Sequence, residues 1–109
     1  MKLFYENISA CDKVSRQSAL ECSVEQAIEV FEYLPEDDGS SMGFIHEDNI
    51  VIQILKYNRF LWLIEIPVFA ENGAFQATCN RNQCKRIIAR LFSGEDPFSV
   101  CDFKFESNL

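Results

Sequence analysis

The first apolar–polar alternation runs over residues 3–9 and predicts an opening strand. Residues 10–20 are polar and carry no clear period. Ser23-Val24-Glu25-Gln26 then has the form of a capping box, a hydroxyl placed to hold the orphan amides of a helix with Gln26 reaching back. Behind it Val24, Ala27, Ile28, Phe31 and Leu34 recur at helical spacing, and Glu25, Glu29 and Glu32 fall on the other side. Pro35 and the run Glu36-Asp37-Asp38-Gly39-Ser40 end this helix in a loop.

The middle of the chain reads as consecutive hairpins. Met42–His46 and Ile50–Lys56 are strand patterns about a turn at Glu47-Asp48-Asn49. Tyr57-Asn58-Arg59 makes the next break, and Phe60–Ala70 is the strongest strand pattern of the chain. Glu71-Asn72-Gly73 is a hairpin signal, because Asn-Gly tolerates positive φ, and Ala74–Cys79 is the returning strand. Strands joined by turns this short must run antiparallel, since parallel pairing requires a long crossover.

A second helix follows. Asn80 is placed to cap it, with Gln83 at the third position. Cys84, Ile87, Ile88, Leu91 and Phe92 form the apolar stripe, and Arg81, Lys85, Arg86 and Arg90 cover the other face. Ser93-Gly94 supplies the stop. After Pro97, Phe98–Phe105 alternates, with Cys101, Phe103 and Phe105 on one face, and predicts a last strand. The expected order is β-α-β-β-β-β-α-β, an α+β fold in which two helices pack on one antiparallel sheet. At 109 residues, with 48% hydrophobic content and ten phenylalanines, the chain is expected to form a single domain with one core.

Charge changes the picture because it is unevenly placed. The net charge is −7, yet residues 1–50 hold eleven acids against three bases and residues 51–109 six acids against seven bases. No Lys or Arg lies between Arg16 and Lys56. That acidity argues against nucleic acid as a direct ligand. The basic face of the second helix is one helix long, with no aromatic residues interleaved for stacking. No apolar run is long enough to span a bilayer, and the opening residues lack the pattern of an export signal, so the cytoplasm is the expected location. In that compartment Cys11, Cys22, Cys79, Cys84 and Cys101 read as reduced thiols, several of them buried.

Catalytic and metal chemistry find few partners. His46 is the sole histidine, and no nucleophile signature flanks any cysteine. Cys79 and Cys84 have no second ligand pair to complete a zinc site. A Gly-rich phosphate loop and an alternating calcium loop are both lacking, and no cofactor is expected. Glu36-Asp37-Asp38 reads first as a solvated turn. Glu65 is the sharper case, a carboxylate inside Leu61-Trp62-Leu63-Ile64-Glu65-Ile66-Pro67, a strand apolar on both faces. It must pair with Arg59, Lys56 or backbone, or point to a wet edge. Otherwise it serves a pocket lined by Trp62 and phenylalanines, which would make the protein a small-ligand binder or an enzyme. Covering both faces of that strand takes helices on both sides or a second chain, so a homodimer, or a subunit of a larger assembly, is the competing architecture.

The helix at Ser23–Leu34, the hairpins after it and the Leu61–Pro67 strand resemble small bacterial immunity proteins of polymorphic-toxin systems. In those proteins an opening helix precedes a meander with an aromatic-hydrophobic-glutamate strand. The likeness covers about half the chain, is one of pattern, and transfers no functional residue. It implies a protein that blocks a cognate toxin by tight association, many such toxins being basic nucleases. The residues themselves point the same way. Glu25, Glu29, Glu32, Glu36, Asp37 and Asp38 would steer a basic protein partner onto the acidic end of the molecule, and binding rather than catalysis is the expected role.

Overall fold

The computed structural model describes residues 1–35 and 39–108. Its helices begin where the sequence places caps. The Ser23 hydroxyl accepts the Gln26 amide at 3.1 Å while Gln26 Oε1 accepts the Ser23 amide at 2.8 Å, and helix α1 runs Val24–Tyr33. Asn80 and Gln83 exchange the same pair of bonds, each at 2.8 Å, at the start of helix α2, Arg81–Phe92. Both are capping boxes, satisfying backbone donors that the first turn leaves over. Pro35 follows the end of α1, and Gly94 takes a left-handed φ of 94° after α2.

The strands are β1 (Lys2–Asn7), β2 (Asp12–Val14), β3 (Leu20–Glu21), β4 (Ser41–Ile45), β5 (Val51–Lys56), β6 (Trp62–Val68), β7 (Gly73–Cys79) and β8 (Lys104–Ser107). They form one sheet in the order β2-β1-β4-β5-β6-β7-β8, with β3 also pairing β1. Every pairing is antiparallel. The α+β architecture with two helices on an antiparallel sheet is as expected.

In places the structure departs from the sequence-based expectation or adds to it. Residues 10–21 supply the short strands β2 and β3, both laid on the outer edge of β1. The last strand begins at Lys104 rather than Phe98, because Asp96 Oδ1 caps a 3-10 turn at Pro97–Ser99 by accepting the Phe98 amide at 3.0 Å. Arg90 on α2 then draws in the Val100 carbonyl at 2.9 Å, and that residue is buried. At the Asn-Gly turn it is Asn72 that takes the left-handed φ, 50°. Gly73 opens β7, where a Cβ would collide with the Phe105 ring and come within 2.6 Å of the Glu106 carbonyl oxygen.

Register puts the even-numbered apolar residues of β4, β5 and β6 under the helices. Phe44 pairs with Ile52, Met42 with Ile54, and Ile54 with Ile64. These join Trp62, Ile66, Ala27, Phe31, Leu34, Cys84, Ile87, Ile88 and Leu91 in one core. Phe31 of α1 meets Trp62 of β6 with ring centroids 5.1 Å apart, and each such side chain contributes about 1.5–3 kcal/mol on burial. Both helices therefore pack on the same side. The opposite face carries the row Phe4, Gly43, Gln53, Glu65, Gln76 and Lys104, matched strand by strand. Around that row Ile45, Val51, Leu55, Leu63 and Pro67 are half-buried, on the side away from α1 and α2.

Candidate functional site

The stripe that buries Ala27, Phe31 and Leu34 turns Glu25, Glu29 and Tyr33 to the far side of α1. Glu25 and Glu29 are exposed, and neither makes a hydrogen bond or ion pair among the described residues. Glu32 stands apart from them. It lies toward α2, where Lys85 Nζ reaches Glu32 Oε1 at 2.6 Å, and that bond holds its carboxyl below the ordinary value. Arg81 Nη2 also donates to the Glu32 carbonyl at 2.8 Å. One acid of the predicted set thus serves to join the helices. Glu36, Asp37 and Asp38 lie outside the described residues.

Beside α1 a groove of about 890 Å³ opens along β1. Gln26, Glu29, Val30, Tyr33 and Pro35 form one wall, Leu3, Tyr5 and Asn7 the floor, and Ser9, Ala10, Asp12, Leu20, Glu21 and Cys22 the other wall. Among the described residues no lysine, arginine or histidine lines it. The Tyr5 hydroxyl donates to Asp12 at 2.9 Å, and burial together with that carboxylate raises its pKa. Asn7 Nδ2 donates to the Tyr33 carbonyl at 3.0 Å, tying the end of α1 to the floor. The N-terminal amine meets Glu21 at 3.0 Å. Leu20 and Tyr33 stand 60% and 71% exposed at the rim, a high exposure for residues of this size. The charge of Glu29 was legible as part of an acidic run. The groove itself was not, because its walls come from segments far apart in the chain.

The Trp62–Glu65 pair does not form a pocket. Three positions apart on one strand, the two side chains point to opposite faces. Trp62 is buried under α1, with Lys56 Nζ 4.4 Å from its ring centroid. Glu65 faces away from the helices and accepts a hydrogen bond from Gln76 Nε2 at 2.7 Å. Its partner is thus a neighbouring glutamine rather than Arg59 or Lys56.

A larger hollow of about 920 Å³ lies between α2 and the end of β7, lined by Arg86, Arg90, Cys79, Cys101, Thr78 and Lys104 among others. Arg90 there is already engaged by Glu95 at 2.8 Å and by the Val100 carbonyl. The neighbouring Cys101 thiol, placed to donate toward Cys79, holds the Cys79 thiol below its ordinary value, and that same interaction together with burial pushes Cys101 up. Burial pushes the Cys84 thiol up to about 12. These are features of a packed thiol cluster more than of an open site. Among the described residues no three His, Cys, Asp or Glu side chains come together in a way that could hold a metal ion. No helix among them is long and apolar enough to cross a membrane.

Compared with known proteins, the chain gives no match to a family model and no significant match to a curated protein or a solved structure.

Proposed function

We propose that this protein is a binding module that captures a basic protein partner through the outer face of α1, acting as an inhibitor or immunity protein. The observation that carries the reading is the pair Glu25 and Glu29, exposed and unpaired on a helix inside a stretch with no Lys or Arg from Arg16 to Lys56. Unpaired carboxylates grouped on a rigid helix create a local negative potential. Such a field raises the encounter rate with a cationic surface and penalises acidic competitors. The pattern likeness to toxin-neutralising immunity proteins supports the same role. A photo-reactive phenylalanine placed at the exposed position 33, which leaves both carboxylates in place, tests it in the source cells. The reading expects a basic protein to be crosslinked there and its activity to fall on mixing with this chain; an acidic product, or a crosslinked basic protein left unaffected, would contradict it.

A second reading is favoured by the helix-free face of the sheet, where Ile45, Val51, Leu55, Leu63 and Pro67 are half-exposed. In this reading the chain is a homo-oligomer or an assembly subunit that covers this face with another copy. Light scattering over a range of concentrations separates the two, since a persistent dimer would favour the second.

A further inference from the structure

The rim of the groove beside α1 is acidic, but its interior is apolar, and charge steering alone does not require that. Leu3 and Tyr5 form the floor, Val30 borders it, and Leu20 and Tyr33 stand largely exposed above it. Asp12, Glu21 and Glu29 surround these residues, Asp12 bonded to the Tyr5 hydroxyl and Glu21 to the N-terminal ammonium, and among the described residues no Lys, Arg or His is in the lining. An apolar centre inside a charged rim is the anatomy of a recognition surface, where a desolvated anchor supplies affinity and the rim supplies partner choice. The backbone narrows the way a partner can engage. A strand-adding peptide would need a free edge on β1, but β2 already pairs with Tyr5, Glu6 and Asn7, and β3 with Lys2 and Leu3. The other edge of β1 is held by β4. Within the groove, whose floor is β1, recognition then runs through side chains, as it does when an amphipathic helix lies in a groove.

Building on the proposed capture of a basic partner, we propose that the groove seats a basic amphipathic helix of that partner. Its apolar face lies against Leu3, Tyr5, Leu20, Val30 and Tyr33, and its lysines or arginines meet Asp12 and Glu29. Glu25, further around α1, acts on approach and not in the seat.

The test uses the full chain and three fluorescent probes: a helical leucine–lysine peptide, its leucine-to-serine counterpart of equal charge, and a leucine–glutamate helix. The leucine–lysine helix is expected to bind about tenfold or more tighter than the serine counterpart, the loss typical of removing an interface anchor. The Leu20→Ala/Tyr33→Ala variant should erase that preference while keeping weak, salt-sensitive binding of both basic peptides. Leu20 and Tyr33 are exposed, so the variant should melt like the parent, and an amide chemical-shift map of the parent should place the peptide on Leu3, Tyr5 and Val30. Equal binding of the two basic peptides, a preference that survives the double variant, or tighter binding of the acidic helix overturns the groove proposal. In the first two cases, loss of the salt-sensitive part in Glu25→Lys/Glu29→Lys leaves the broader reading intact. Failure of every basic peptide to bind at low salt overturns both.

Discussion

Lys85 of α2 lies 2.6 Å from Glu32 of α1, so the basic helix neutralises one acid of the acidic helix and leaves Glu25 and Glu29 unpaired. This contact separates the carboxylates of α1 into one that joins elements and two that face solvent. It also gives the fold a pH dependence of known sign. The Lys85 bond holds the Glu32 carboxyl below its ordinary value of 4.5, so the folded state binds fewer protons there than the unfolded chain. Its contribution is present above the unfolded value and is lost as pH falls through the folded one. Thermal melts from neutral pH down to acid should show Lys85→Ala and the parent converging below the ordinary carboxylate range. A gap that stays constant to low pH would contradict the assignment.

Gly43 of β4 sits under the Phe4 ring on the helix-free face of the sheet. A Cβ there would strike that ring and lie 2.9 Å from the Ile52 carbonyl oxygen. Gly43→Ala should therefore destabilise by about 1–3 kcal/mol, the usual cost of overpacking. Removing the ring in Phe4→Ala/Gly43→Ala should recover part of that loss relative to the sum of the single changes. Urea midpoints of the four proteins read this coupling directly, and simple additivity would show that ring and glycine do not touch.

The thiols should react in order of exposure and acidity. Cys11 is exposed at a positive-φ turn, whereas Cys84 is buried with its thiol pushed up to about 12. The thiolate is the reactive form, so mild alkylation near pH 8 should label Cys11 first and leave Cys84 unmodified until the chain unfolds. Mass spectrometry of timed samples checks the order, and early labelling of Cys84 would mean that α2 opens readily.

Local chemistry made much of this fold legible. Ser23 with Gln26 and Asn80 with Gln83 announce helix starts by residue type and spacing alone, and both boxes close as expected. The hairpins from β4 to β7 followed from alternation and short turns. Most of what failed depended on contacts that residue type and spacing do not display. Phe98–Phe105 alternates like a strand, but Asp96 and Arg90 hold its first half in a turn against α2. β2 and β3 have three and two residues, too short for a period to show, and exist because β1 has an edge to fill. Trp62 and Glu65 could have been separated on parity, since three steps along a strand change faces. The acids of α1 were visible as a run; which of them was taken was not, because Lys85 lies a long way down the chain from Glu32.

Unpaired acids on α1, in the proposed function, steer a basic protein onto this surface. This steering is tested most directly by the association rate of the crosslinked partner, followed against ionic strength for the parent, Glu32→Ala and Glu25→Lys/Glu29→Lys. The parent rate should fall steeply with salt, and the Glu32→Ala rate should stay close to it. The double reversal should be roughly tenfold or more slower at low salt and should converge with the parent as the charges are screened. Equal rates for the parent and the double reversal at low salt would contradict the steering.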